Sequence, residues 1–402
     1  MDNNIVQFDI CIVGASIAGS YLSYLLANSN LKIIILEEHK EIGLPFQCAG
    51  IVSQKLATII KLPPDLILNR VNIAKIVAPS GKFIKLSGNE RPYIIDRVGL
   101  DRYFYNKSKT KKNISYSLGE KYKSFEYIEE EGRNIILIDT NRRKIKVKLL
   151  IGCDGPSSLV AQHLNIKKNY LYAVQIRIKG NFPQNEAVLY FNPLWKELFG
   201  WIVPEGKNIY RIGIASSSSI YKNFRLFLDK LGIDYNKKID QQGGLIPYGR
   251  MNRLAFDNIL LLGDSAGQVK ATTGGGIIML LTAAHYASIS ILKCIKDNNF
   301  SRRYIKKYYE KPCISEIGKE LKIHYIIRLI LEHLDRGDFD RFIQIAKLSK
   351  IQNIISFYGD MDFPKSLVIK LLLNPIVIRF LLRFITKNRV FFFRLIKIVL
   401  KK

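Results

Sequence analysis

The chain has 402 residues, 48% of them hydrophobic, which suits two or three domains or one large discontinuous enzyme and argues against disorder. Lys and Arg outnumber Asp and Glu by 62 to 34, giving a formal charge of +28 that attracts polyanions. Residues 365–402 carry ten of those cations and no carboxylate, set among Leu, Ile and Phe, a mixture that favours a lipid surface over nucleic acid.

Five cysteines (Cys11, Cys48, Cys153, Cys294 and Cys313) are odd in number and contain no C-x-x-C, so neither a disulfide framework nor a zinc site is predicted and a reducing cytoplasm fits. Met1 to Gln7 run polar into a strand, without the pattern of a secretion signal. The apolar tail is interrupted by Lys370, Arg379, Arg383, Arg389 and Arg394, so no membrane-spanning helix is predicted.

In chain order, Phe8 to Val13 reads as a strand, Gly14 to Gly19 as a small-residue turn, Ser20 to Ala27 as a helix and Leu31 to Leu36 as a second strand, together a βαβ unit. A hairpin turning at Ser80-Gly81, a helix near Leu100 to Ser108 and a charged run of strands ending at Val147 to Cys153 follow. From Tyr170 to Ala215 apolar and polar residues alternate, which predicts an antiparallel sheet with one face on a core. Asn258 to Leu262 resumes the strand-to-helix style, so the nucleotide domain closes there after a long insertion, and the pattern beyond Phe300 is helical. No internal repeat or low-complexity linker separates these parts.

The turn Gly14-Ala15-Ser16-Ile17-Ala18-Gly19 sits where small residues let backbone N–H groups approach a pyrophosphate at a helix start. It departs from G-x-G-x-x-G at Ser16, which adds bulk at the point of closest approach. Glu37 lies 23 residues after Gly14, where a carboxylate accepts hydrogen bonds from ribose hydroxyls and repels a 2′-phosphate. A second strand-to-turn element ends in Gly263-Asp264-Ser265-Ala266-Gly267. Thr272-Thr273-Gly274-Gly275-Gly276-Ile277 then starts a helix running to about Leu292.

With these two elements the chain resembles the FAD enzymes of the glutathione-reductase-like class, and the resemblance implies that Asp264 binds the ribitol of FAD. Gly275, Gly276 and Ile277 would then face the flavin, and the helix dipole would stabilise charge developing on the reduced ring. Gly152-Cys153-Asp154-Gly155 and Asp96-Arg97-Val98-Gly99 resemble motifs of the flavin hydroxylase branch, which puts Arg97 on the cofactor side. Two further segments resemble the geranylgeranyl reductases: Pro45-Phe46-Gln47-Cys48-Ala49-Gly50, and Phe199-Gly200-Trp201-Ile202-Val203-Pro204 followed by Arg211-Ile212-Gly213, with Val203 where that family usually has phenylalanine. The resemblance covers roughly residues 8–330.

It implies an α/β fold: a Rossmann-like FAD-binding domain (1–70, 95–160 and 255–300) with an inserted antiparallel-sheet substrate domain (71–94 and 165–254) and a basic, helical C-terminal region (301–402). The implied cofactor contacts are Gly14, Ser16, Ala18, Gly19, Glu37, Cys48, Ala49, Arg97, Tyr122, Asp264, Gly275, Gly276 and Ile277; Phe199, Trp201 and Pro204 would contact substrate. Cys48 is the one titratable side chain of its motif and is a proton-relay or substrate-positioning candidate, with a small packing thiol as the alternative. Two flat aromatic walls suit a polyprenyl chain, though Trp201 also reads as plain core.

The implied reaction is hydride transfer from reduced FAD to an isoprenoid alkene, in archaeal-type diether phospholipids ahead of chlorophyll or free diphosphates, at the inner face of the cell membrane. No metal is needed, and His39, His163, His285, His324 and His333 show no metal or triad spacing. With no second fingerprint for a nicotinamide, the electron donor is a ferredoxin or a transiently bound reduced nicotinamide. The competing readings are a flavin monooxygenase acting on a quinone or aromatic, and a non-enzymatic binding protein with a degenerate nucleotide fold.

Overall fold

The computed structural model describes residues 5–249, 251 and 253–400. The ends of the polar N-terminus (1–4) and of the basic tail (401–402) lie outside these residues.

The strands Ile10–Val13, Ile33–Glu37 and Leu149–Gly152 are almost wholly buried, as the unbroken apolar runs of a parallel sheet covered on both faces should be. They form one six-stranded sheet in the order Ala255–Phe256, Ile259–Leu261, Leu149–Gly152, Ile10–Val13, Ile33–Glu37 and Ile114–Leu118. Leu149–Gly152 lies parallel to both Ile10–Val13 and Ile259–Leu261, so three distant segments present their C-terminal ends along one edge. The helix Ile17–Leu26 packs on this sheet between Arg97–Lys109 and Ile277–Lys296. The second of these helices starts earlier than the periodicity suggests because Asp96 caps it, accepting from Gly99 N at 2.9 Å. The third begins at Ile277 rather than Thr272, because Gly274 has φ +70° and cannot join a right-handed helix.

The second large sheet has seven strands, from Lys238–Tyr248 through Asn169–Lys179, Ile209–Ser216, Gly200–Gly206, Glu186–Tyr190 and Ile73–Val77 to Phe83–Ser87. It departs from the expected antiparallel pattern at one joint, where Glu186–Tyr190 runs parallel to Ile73–Val77. Ile73–Val77 and Glu186–Tyr190 are far apart in the chain, as the crossover connection of a parallel pair requires. The other partner of Ile73–Val77 is Phe83–Ser87, across the turn that includes Ser80 and Gly81.

Beyond residue 300 the described chain is helical. The helix Ile277–Lys296 has the length and composition to cross a membrane (mean hydropathy 1.6 over its most apolar window), contrary to the expectation of no such segment. Its residues Met279, Leu281, Ala283, Ala284, Ala287 and Ile291 are fully buried in the protein's own core, which accounts for the apolar composition without a bilayer.

Candidate active site

The glycine-rich turn is shaped by contacts that admit no side chain. A Cβ on Gly14 (φ +96°) would stand 2.4 Å from the carbonyl oxygen of Cys153, and one on Gly19 would stand 1.9 Å from the carbonyl oxygen of Gly14. The Cβ of Ala18 fits beneath Gly263, where a Cβ would lie 3.2 Å away. The backbone is therefore drawn in tightly where a pyrophosphate must approach. Ser16 keeps its bulk out of that approach: its hydroxyl donates to Asp101 Oδ2 at 3.1 Å and accepts from Arg97 Nη2 at 3.3 Å. Arg97 in turn donates to Asp101 Oδ1 at 2.6 Å. Burial works to discharge Arg97, yet the Asp101 carboxylate beside it holds its pKa above the ordinary value.

Glu37, at the end of its strand, accepts from Ala15 N at 2.8 Å through Oε2 and from His39 N at 3.0 Å through Oε1. These bonds orient the carboxylate and leave it lone pairs for ribose hydroxyls. Asp264 occupies the short turn Gly263–Ala266 after the strand Ile259–Leu261 of the same sheet, with two strands between it and that of Glu37. Burial pushes its carboxyl upward, opposed by Lys168 and Arg97. Lys168, pushed down to about 8 by burial, donates to the Asp264 carbonyl at 3.3 Å. The cradle of Gly14 and Gly19, the oriented Glu37 and the buried Asp264 fit an extended dinucleotide laid across the strand ends.

Not every predicted side chain reaches this groove. The Tyr122 ring is buried and its hydroxyl pairs with His163 Nδ1 at 3.0 Å, so it is committed inside the adjoining sheet. Asp154 accepts from Ser158 Oγ at 2.5 Å and Val160 N at 3.1 Å, which makes it a cap for the helix Leu159–His163.

A cavity of about 530 Å³ opens between the seven-stranded sheet, the segments 47–51 and 270–275, and C-terminal residues 355–361. Cys48 and Ala49 line it beside Thr273, Gly274 and Gly275, while Phe199, Trp201 and Val203 form an apolar wall. Pro204, predicted at the substrate, is absent from that wall because strand residues alternate faces. Its carbonyl instead accepts from Asn69 Nδ2 at 3.0 Å. Val203 holds the wall position, and its small side chain leaves room where phenylalanine would fill it.

Trp201 is fixed by its indole Nε1, which donates to Gln175 Oε1 at 3.1 Å, and Gln175 Nε2 donates to the Cys48 carbonyl at 3.0 Å. The aromatic wall and the Cys48 loop are thereby joined through one side chain. Arg211 secures the same loop: its Nη1 donates to the Ala49 carbonyl at 2.9 Å, Nε to Glu205 at 2.9 Å, and its guanidinium lies 5.0 Å from the Phe46 ring centre. A Cβ on Gly50 would collide with that guanidinium at 2.0 Å. Cys48 Sγ accepts from Gly50 N at 3.3 Å.

The base of the Thr272–Gly276 turn is braced by residues the sequence did not single out for this. Arg328, fully buried, donates to the carbonyls of Ala271 (3.1 Å), Thr272 (2.9 Å), Lys196 (3.1 Å) and Leu198 (3.3 Å). His324 joins Thr272 Oγ1 at 2.5 Å to the Asp362 carbonyl at 3.0 Å. Lys270 is buried and pairs with Asp362.

The fold and the site together define a FAD-dependent oxidoreductase. Residues 12–63 match the NAD(P)-binding Rossmann-like domain family. The chain is 26% identical over 388 residues to digeranylgeranylglycerophospholipid reductase 2 of Methanothermobacter thermautotrophicus, covering 90% of this chain and 98% of that one. Among solved structures it is similar to a geranylgeranyl bacteriochlorophyll reductase-like protein of Thermoplasma acidophilum, with a TM-score of 0.81, 20% identity and coverage of 95% and 100% of the two chains. It is also similar to p-nitrophenol 4-monooxygenase of Pseudomonas putida, with a TM-score of 0.68, 12% identity and coverage of 90% and 98%. Over most of its length the chain is thus similar to proteins named as geranylgeranyl reductases.

Proposed function

We propose that this enzyme saturates geranylgeranyl double bonds in archaeal-type diether phospholipids. The observation that carries the reading is the apolar cavity walled by Phe199, Trp201 and Val203, which runs to the Cys48 and Gly274 end of the cofactor groove. When bound, FAD supplies the hydride, and the alkene offers no carbonyl to polarise. The chain's own task is therefore to exclude water, hold the double bond against the ring and manage a proton. Trp201 and Phe199 exclude water and hold the isoprenoid. Cys48 sits at the cofactor end, where we assign it orientation of the alkene or relay of the proton. The helix Ile277–Lys296 begins two residues after Gly275, which lines the cavity, and its N-terminal N–H groups would favour negative charge on the reduced ring.

The lipid is collected at a membrane. The helix Ser349–Tyr358 contributes Ile355 and Ser356 to the cavity and packs on Lys365–Leu372. From there outward Leu373, Val390 and Phe393 are each more than two-thirds exposed beside Lys370, Arg389 and Arg394. Apolar side chains among cations suit an anionic lipid surface at the inner face of the cell membrane. Electrons reach the flavin from a ferredoxin, drawn to the basic surface, or from a reduced nicotinamide.

The test is anaerobic incubation of the dithionite-reduced protein with geranylgeranylated glycerophospholipid, then mass spectrometry of the chains. Gains of two hydrogens per step with reoxidation of the flavin support the reading. Oxygen consumption with quinones or aromatics and no chain saturation would transfer the assignment to a monooxygenase, whose fold this chain shares.

A further inference from the structure

Beside the same cavity, three carboxyl groups, Glu90, Asp360 and Asp362, each bring one oxygen within 4.8 Å of the others. They come from two places: Glu90 from the loop after the strand Phe83–Ser87, the aspartates from the segment after the helix Ser349–Tyr358. Two ammonium groups answer them, Lys55 on Asp360 and Lys270 on Asp362. Three carboxylates against two lysines leave one negative charge in excess, in a place where an uncompensated charge is costly. The resident lysines weaken any claim of a divalent cation on this cluster, whereas one proton makes it neutral.

The hydrogen bonds indicate which group holds that proton. Asp360 Oδ1 accepts from Asp362 N and Phe363 N, both at 2.9 Å, in addition to the Lys55 contact. Asp362 Oδ1 is taken by Lys270, which also donates to the Met361 carbonyl at 3.1 Å. Glu90 has the weakest support for a negative charge, a single bond from Met361 N to Oε2 at 3.0 Å. Among the described residues no donor reaches Glu90 Oε1 or Asp362 Oδ2, both buried, and Asp362 is only 1% exposed. Two buried oxygens of the cluster thus lack a donor, and a proton on one of these carboxyl groups relieves the excess charge. Burial, followed by Asp360 and Asp362, pushes the Glu90 carboxyl upward, with Lys55 opposing.

Glu90, Asp360 and Lys270 also line the cavity that reaches Cys48 and Gly275. Lys270 spans the gap, its Nζ standing 3.4 Å from where a Cβ on Gly275 would be. We propose that Glu90 is the proton donor of this cavity, delivering the hydrogen of its carboxyl group to the alkene carbon that does not receive the hydride. This rests on the lipid-reductase reading. The carbon–carbon π bond and the Glu90 O–H bond would break, two C–H bonds would form, and the second hydrogen would arrive as hydride with its two electrons from the N–H bond of reduced FAD, which is thereby oxidised. The Glu90 carboxylate left behind lies near Lys55 and Lys270 and takes its next proton from solvent.

Infrared spectra of the full-length, FAD-loaded protein at neutral pH provide a measurement independent of turnover. A protonated-carboxyl band present in the wild type and missing from E90Q is the expected result. In single turnovers of the dithionite-reduced protein with geranylgeranylated glycerophospholipid, E90Q should reoxidise its flavin about 100-fold more slowly, E90D should recover part of the rate, and the lipid KM should stay near that of the wild type. Wild-type and E90Q spectra with the same protonated-carboxyl intensity, or E90Q turnover at the wild-type rate, would each overturn the assignment. A wild type that saturates no chain defeats the lipid-reductase reading itself, whereas an active wild type matched by E90Q defeats only the role of Glu90.

Discussion

Ser16 Oγ donates to Asp101 Oδ2 at 3.1 Å, so the residue that breaks the glycine fingerprint is bonded to a different helix. The hydroxyl points toward the helix Arg97–Lys109, and its bulk never enters the space a pyrophosphate needs. Asp101 carries two tasks there, holding Ser16 and countering the charge of Arg97. The fingerprint and the hydroxylase-like arginine motif, separate in the sequence, are one hydrogen-bonded unit.

Asp101→Ala should therefore cost more than its distance from the cofactor suggests. It leaves Arg97 with little exposure and no counter-charge, a change that costs about 3–5 kcal/mol when one partner of a buried pair is lost. A large drop in melting temperature and loss of flavin on purification are expected, while Ser16→Gly should keep its flavin. Unchanged flavin content and melting temperature in Asp101→Ala would refute the joint role.

Gly19→Ala tests the cradle directly. The new Cβ would meet the Gly14 carbonyl oxygen at 1.9 Å, a backbone atom that cannot move aside without shifting the turn. The expected product is a protein purified without flavin, scored by its absorbance spectrum. Full flavin occupancy would mean the turn is more plastic than its packing indicates.

Trp201→Ala should lose about 3–5 kcal/mol from the vacated core and orphan Gln175 Oε1 as well. Trp201→Phe retains an aromatic wall and loses only the N–H, so about 1–3 kcal/mol is expected from chemical denaturation. Equal losses for both variants would show that the hydrogen bond, not the wall, dominates.

The parts of the site that were legible in the sequence are those made by local chain geometry. A strand, a small-residue turn and a helix follow one another at Ile10–Leu26, and Glu37 ends the next strand, so spacing alone locates them. The cavity wall was legible in type but not in full: alternation along Gly200–Gly206 favours Val203 over Pro204, a rule available from the sequence. Arg328, Lys270 and Glu90 were not legible. Each reads as a surface charge in isolation, and only partners such as Asp362 or Met361, 92 and 271 residues away in the chain, explain its place inside.

His324, which shows no metal or triad spacing in the sequence, gives the clearest pH prediction. Burial pushes its pKa down from 6.5 to about 4, and its Nε2 faces the Asp362 carbonyl while Nδ1 faces Thr272 Oγ1. The ring is neutral in the folded protein, donating from Nε2 and accepting at Nδ1. Below pH 6.5 the unfolded chain binds a proton that the folded chain does not, so the contribution is complete above 6.5 and is lost as the pH falls toward about 4. The fall from 6.5 to about 4 corresponds to about 3 kcal/mol. Urea unfolding at pH 7, 5.5 and 4.5 should show this loss, and His324→Gln, which cannot titrate, should flatten that part of the curve even if its stability at pH 7 is lower. The same slope in His324→Gln as in the wild type would place the acid sensitivity elsewhere. Because His324 braces Thr272, the flavin should also loosen over the interval in which the wild type destabilises.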